Sequence, residues 1–489
     1  MLNIVSLPLG MVNLKLTDRR VLYPRLKVCH LVATTQGASW MCEQLQELRD
    51  QYGFEVAAVV AGNSGPLIDK LDAAGIPHFA ANFEFGTFRS VLRMPYSIYC
   101  LAQLFRRQRF DVVQTHVFIS MVFGRVAGWL ADVPVRLSMI AGPFQLKAHS
   151  SRWIDGFTYW METMLIPSCE ESLHLCRAMG VSDERLSLIY YGADERVFDP
   201  SRTPSINLRQ QYGLPEDTPL IAMIAYFYPR LPKSGWVPTL LQGEGGKGHD
   251  DLIKAAPLIL AEFPAARLLL VGSGWGPAGD AYLQEMKELV ENLGLEERVI
   301  FAGYRADVNS VLREVDVAVQ PSLDENLGGT LEALLMECPL VATSVGGMVD
   351  TVRDGQTGVL VSPARPDDLA RGILELLRDR ERARALGRAG RRLILERFSL
   401  SRTVQDLAEL YDRLATREKQ QRKFYRLSVS LWRSLAALPI GAYLAVRLFV
   451  IDLNLAVYFL KLPFYLIRGL FRRLLRGLKR NQAEAVVSS

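Results

Sequence analysis

Two stretches of this chain, residues 25–200 and 219–396, each read as a buried strand, a short loop and a helix, repeated several times. That double alternation leaves few folds open. In the first stretch "RLKVCHLVATTQGASWMCEQLQEL" is strand, glycine-containing loop and helix, and "FEVAAVVAG", "IPHFAA", "DVVQTHV" and "VPVRLSMIAG" supply further strands. In the second, "LIAMIAYF", "ARLLLVG", "VIFAG", "DVAVQPS" and "LVATS" alternate with helical runs such as "HDDLIKAAPLILAEF" and "YLQEMKELVENLG". Strands alternating with helices predict a doubly wound parallel sheet. Two such units in tandem predict an α/β protein of two Rossmann-like domains, with a ligand cleft at the carboxyl ends of the strands. A chain of 489 residues, 49% of them hydrophobic, is long enough for two cores.

The boundaries follow from composition. Residues 1–24 form an N-terminal extension without the basic start of a secretory signal. Residues 25–200 form the first domain, and the polar, proline-containing 201–218 a linker. Residues 219–396 form the second domain, 397–416 a closing helix and 417–489 a tail. The six cysteines make no CxxC pair and sit mostly in apolar runs, which points away from a zinc site or disulfide framework and toward a reducing compartment.

Charge separates the tail from the rest. Residues 417–480 hold fourteen Lys and Arg against Glu418 and Asp452, a net of +12, so the remainder of a chain with net charge +5 carries −7. An acidic body with a cationic end does not suit a nucleic-acid enzyme; it suits a tail that meets an anionic membrane surface. In "LAALPIGAYLAVRLFVIDLNLAVYFLKLPFYLIRGLFRRLLRGLKRN" the charges Arg447, Asp452 and Lys461 interrupt any transmembrane span. At helical spacing Arg447, Lys461, Arg468, Arg472 and Arg476 share one face, which predicts an amphipathic helix lying in the membrane plane. The basic helix "RMPYSIYCLAQLFRRQRF" of the first domain offers a second lipid contact, or an ordinary helix with a solvated basic end.

Three segments of the second domain carry a resemblance. "GGKGHDDLIKAAPLI", "LLLVGSGWGP" and "PSLDENLGGTLEALLMECPLVATSVGGMVDTVRDGQTGVLV" resemble the phosphate-contacting, glycine-turn and two-glutamate motifs of retaining GT-B glycosyltransferases of the family-4 type. "DVVQTHV" and "IYYGADERVFDP" are similar, more loosely, to first-domain segments of that family, and the likeness covers residues 25–415. It implies a GT-B fold and transfer of a sugar from a nucleotide-sugar donor, metal-independent and with retention of anomeric configuration. It implies no cofactor besides that donor.

The resemblance also implies a set of site residues. Lys247 would clamp the donor's phosphates beside a helix N-terminus. Glu325 would face the sugar, Glu332 would accept from ribose hydroxyls, and Asn326, Leu327, Gly328 and Gly329 would line the donor between them. Glu325 and Glu332 enclose six residues where the family has seven, so Asp324 stays open as the first acid. Arg230 would reach the phosphates, although "YFYPRLPKSGWVPTLLQGEGGKG" inserts a long loop between it and Lys247. Gly37 and Gly274 lie in loops that follow strands, where a ligand can approach backbone; a glycine there is also an ordinary tight turn. His116, at the carboxyl end of "DVVQTH", would contact the donor sugar or the reacting centre, against the commoner role of a structural hydrogen-bonder.

The expected activity is sugar transfer to a lipid-linked or membrane-proximal glycan, in cell-surface polysaccharide or glycolipid synthesis. The expected location is cytoplasmic, on the inner face of the plasma membrane. The alternatives are a nucleotide-sugar epimerase and a non-catalytic sugar-nucleotide-binding protein of a polysaccharide assembly complex.

Overall fold

The structure, a computed structural model, describes residues 25–85 and 88–425. Two six-stranded parallel sheets form its two lobes. The first contains β1 (Lys27–Val32), β2 (Glu55–Val60), β3 (His78–Ala80), β4 (Val112–His116), β5 (Val135–Ile140) and β6 (Met164–Pro167), in the order β3-β2-β1-β4-β5-β6. The second contains β7 (Leu220–Ile224), β8 (Arg267–Val271), β9 (Val299–Gly303), β10 (Val317–Gln320), β11 (Leu340–Thr343) and β12 (Val359–Val361), in the order β12-β11-β10-β7-β8-β9. β1, β4, β7, β10 and β11 are buried along nearly their whole length, as sheets covered on both faces require. In each sheet the strand order reverses beside the first strand, at β1–β4 and at β7–β10, and those two crevices are where such sheets take ligands.

The chain passes between the lobes twice at adjacent points. Leu400 N–H donates to Ala193 O (2.9 Å), and Ala193 N–H donates to Phe398 O (3.3 Å). Gly192 makes this approach: a Cβ there would lie 2.3 Å from Ser399 O. The crossing therefore precedes the expected linker, and residues 201–218 pack on the second lobe instead. The Glu314 carboxylate holds them, accepting from the N–H groups of Ile206 (2.5 Å) and Asn207 (3.0 Å) and from Ser205 Oγ (2.7 Å).

After the second crossing a helix spanning Leu400–Tyr425 returns to the first lobe, longer than the 397–416 segment expected. Tyr411 is fully buried there; its hydroxyl donates to Gln114 Oε1 (2.6 Å) and lies 2.9 Å from His30 Nε2. The helix thus carries the chain back from the second lobe and locks it to β1 and β4. Residues 426–489, most of the expected amphipathic tail, lie outside the described residues. Among the described residues no helix is long and apolar enough to cross a membrane.

Tyr411→Phe leaves Gln114 Oε1 and His30 Nε2 without their buried partner. It is expected to cost about 1–3 kcal/mol in chemical denaturation.

Candidate active site

The second sheet's switch point builds the site. β10 ends at Gln320, and the loop 321–329 leads into a short helix, Thr330–Leu335. Two glycines shape that loop. Gly328 holds φ +56°, and Gly346, at φ +55°, lies so close beneath the loop that a Cβ would sit 1.7 Å from Glu325 O. Any other residue at 346 would push Glu325 out of place. Gly347 also packs against the loop, its virtual Cβ 2.8 Å from Asn326 O. Leu327 is buried as the loop's apolar anchor. A Cβ on Gly329 would lie 3.0 Å from Nε2 of the buried Gln320 side chain.

Lys247 comes from the other side of the crevice, just before a helix spanning His249–Glu262. Its ammonium forms a salt bridge with Glu325 Oε2, which also accepts from Ser322 Oγ (3.3 Å). Burial alone would lower the Lys247 pKa, but the Glu325 carboxylate outweighs it and holds the lysine charged and above its ordinary value. The Tyr228 ring lies 5.7 Å from the ammonium. Gly248, at φ +75°, lets this segment pass against Pro321, where a Cβ would lie 2.1 Å from the carbonyl oxygen. Gly245 is pressed just as tightly on the Tyr282 hydroxyl. The glycine cluster therefore serves packing that fixes the lysine's position. A cavity of about 140 Å³ opens here, lined by Phe144, Tyr228, Leu231, Leu241, Lys247 and Asp324 among others.

The first lobe closes the other wall. Lys147 Nζ lies 2.7 Å from Asp324 Oδ1 and 2.8 Å from Glu171 Oε1, one carboxylate from each lobe. Burial still raises the Asp324 pKa to about 6, against the lowering by Lys147, and its Oδ2 is buried with no partner among the described residues. Ser168 Oγ donates to Asn326 Oδ1 (3.0 Å), and Gly142 leaves room for Asn326, whose Cβ lies 3.1 Å from where a Gly142 Cβ would stand. Glu170 N–H donates to Asp350 Oδ2 (2.9 Å). Sequence reasoning missed Lys147, Ser168 and Asp350. No local pattern marks them, because each acts across the lobe boundary.

Glu332 occupies the first turn of the 330–335 helix. Burial raises its pKa from 4.5 to about 7, with Glu43 of the first lobe and Glu325 adding repulsion, and its Oε2 is buried without a partner among the described residues. An unpartnered buried carboxylate oxygen is costly unless something donates to it. It is suited to a ligand bearing hydroxyls.

The remaining expected residues lie elsewhere. Arg230 pairs its guanidinium with Glu285 (2.5–3.1 Å) and lies 5.4 Å from the Tyr282 ring. Gly274 packs against the start of the following helix, where a Cβ would lie 2.4 Å from Asp280 N, so its smallness serves the turn. Gly37, at φ +66°, faces the second lobe: its virtual Cβ lies 3.9 Å from Trp275. His116, expected to contact the donor sugar or the reacting centre, lies inside the first lobe. It has no exposed surface, Nδ1 is 2.8 Å from Tyr191 Oη, and Nε2 is 3.2 Å from His30 Nδ1. Burial, and then His30, hold its pKa well below the ordinary value, so the ring is neutral and both nitrogens are engaged inside the lobe.

The raised Glu332 pKa sets a pH dependence of stability. The folded state holds this proton up to about pH 7 and the unfolded chain loses it near 4.5, so the penalty is absent below pH 4.5, grows toward 7 and is complete above it. Glu332→Gln is expected to raise Tm by roughly 2–4 °C at pH 8 and leave it unchanged at pH 4 in a thermal melt.

Both lobes match known proteins. Residues 240–393 match the family described as "Glycosyl transferases group 1", and residues 36–192 the "Glycosyl transferase 4-like domain". EpsD of Bacillus subtilis is 35% identical over 166 residues, which span 34% of this chain and 42% of that protein, less than half its length. The UDP-Gal:alpha-D-GlcNAc-diphosphoundecaprenol alpha-1,3-galactosyltransferase of Escherichia coli is 23% identical over 409 residues, 80% of this chain and 97% of its own. The solved structure of HepE from Anabaena in complex with UDP shares the fold, with a TM-score of 0.64 at 20% identity, covering 79% of this chain and 99% of that one. With both lobes matched and the two-lobed fold shared, the protein belongs to the group 1 glycosyltransferases of GT-B fold.

Proposed function

We propose that this chain transfers a sugar from a nucleotide-sugar donor to a lipid-linked glycan, with retention of configuration, without a metal or other cofactor, at the inner face of the plasma membrane. One observation carries the reading. At the sheet's switch point Lys247 pairs with Glu325 of the loop-helix unit that also carries Glu332, whose buried Oε2 has no partner among the described residues. A nucleoside diphosphate supplies what that unit lacks: phosphate oxygens for Lys247 and ribose hydroxyls for Glu332. As the glycosidic bond to the diphosphate breaks, negative charge develops on the leaving oxygen, and Lys247 stabilises it in a partly desolvated cleft. Glu325 is then released from its lysine toward the sugar, a release that favours it over Asp324 as the first acid. The acceptor attacks from the face the diphosphate leaves, and the departing phosphate takes its proton.

Two features support a lipid-linked acceptor. The relative from Escherichia coli acts, by its name, on a diphosphoundecaprenol-linked sugar. In the first lobe the helix spanning Phe88–Gln108 exposes Leu92, Tyr96 and Tyr99, by 64%, 70% and 55%, on one stripe.

Detergent-solubilised protein incubated with a panel of nucleotide sugars tests this, with and without lipid extract and with EDTA. Lipid-dependent, EDTA-insensitive transfer with a retained anomer is expected. Isomerised free sugar, or binding without turnover, would replace the reading with an epimerase or a sensor. Lys247→Ala is expected to lower kcat roughly 10²–10³-fold, and Glu332→Ala to raise the donor KM with a smaller effect on kcat. Sedimentation with anionic vesicles should carry the full chain down at low salt and release it at high salt, while a chain ending at Tyr425 stays in solution.

A further inference from the structure

The loop inserted between Arg230 and Lys247 is not a solvated excursion. It leaves the second lobe and seats a tryptophan in the first. Trp236 packs against the first lobe's core, its ring 5.3 Å from Phe85 in an edge-to-face contact and 6.0 Å from Phe118. Beside it, Ser150 N–H donates to Gly235 O (2.9 Å), and the approach is so close that a Cβ on Gly235 would meet Ser150 Oγ at 2.6 Å.

The loop is closed on itself as well. At its base Leu231 N–H donates to Glu244 O (2.9 Å) and Gly243 N–H to Leu231 O (2.7 Å). Near its tip Gln242 Nε2 donates to Ser234 O (2.9 Å) and Val237 O (3.2 Å). Its C-terminal end is the glycine segment that delivers Lys247, and Leu231 and Leu241 roof the cavity that Lys247, Asp324 and Phe144 line.

We propose that residues 231–246 form a strap between the lobes and that Trp236 is a positioning residue. By docking on Phe85 and Phe118 it holds the roof over the donor's diphosphate end and keeps Lys247 in register with Glu325. Trp236 touches neither donor nor acceptor; it acts through the strap. The inference deepens the reading of Lys247 as a donor ligand and rests on it for its kinetic consequence, while the docking itself does not.

The experiment uses the full chain and two readouts. Hydrogen exchange reports docking without any substrate: in Trp236→Ala the amides of Val237, Leu241 and Gly243 should exchange faster, and Trp236→Phe should restore them. With a donor that the wild-type protein turns over, Trp236→Ala should raise the donor KM about tenfold with kcat within twofold, since an aromatic contact of this kind is worth roughly that factor. Trp236→Phe should recover most of the KM, and Phe85→Ala should reproduce the defect from the opposite lobe. Leu240→Ala, on the strap but 93% exposed, should change nothing. Unchanged exchange in Trp236→Ala overturns the proposal, as does a fall in kcat and Tm together with KM unmoved. Faster exchange in a protein that turns over no nucleotide sugar upholds the strap and sinks the functional reading instead.

Discussion

The ion pair between Lys247 and Glu325 is the contact on which the site's geometry depends. It spans the crevice between β7 and β10, where the second sheet reverses its strand order, and it joins segments 78 residues apart. A lysine and a carboxylate brought together in a partly buried cleft cost desolvation, which their attraction offsets only when both are held in place. The fixing comes from glycines whose neighbours leave no room for a side chain: Gly248 against Pro321, Gly245 against Tyr282 and Gly346 against Glu325 O. Packing on this scale leaves Lys247 with one seat, and any anion that enters must compete with Glu325 for it.

That competition distinguishes the roles of the acids. Glu325 already has a cation, Asp324 shares Lys147 with Glu171, and Glu332 has a buried oxygen with no partner among the described residues. Three carboxylates within nine residues would repel one another strongly if all were ionised and buried. The chain meets this by pairing two of them with lysines and by raising the third to a pKa of about 7. Ligand hydroxyls would donate to Glu332, whereas ligand phosphates would have to displace Glu325 from Lys247.

What could be read from the sequence was local. The strands showed because a parallel strand is a short apolar run, and the loop from Asp324 to Glu332 showed because its acids and glycines are contiguous. Residues whose roles depend on distant partners did not show. Lys147 meets Asp324 across 177 residues, and Arg230 turns to Glu285, 55 residues away. His116 stands at the carboxyl end of β4, the right place for a ligand-facing residue. Yet its ring turns inward to His30 and Tyr191, the latter 75 residues on. Position along a strand locates the end of a sheet; it does not say which way a side chain at that end will face.

The inserted loop also explains how two lobes joined by two chain crossings can hold one arrangement. The crossings at Ala193 and Leu400 lie side by side, so alone they form a hinge that leaves the opposite edge of the cleft free to gape. The strap adds a third attachment, through Trp236, beside the Lys147–Asp324 pair and the Ser168–Asn326 hydrogen bond that also join the lobes. Closing a loop of this length costs little more entropy than closing a shorter one, because the cost grows only with the logarithm of length. An insertion here can therefore add a mechanical tie across the cleft. In this chain Arg230 is given over to Glu285 at the strap's base, and Lys247 is left as the positive charge that faces Glu325.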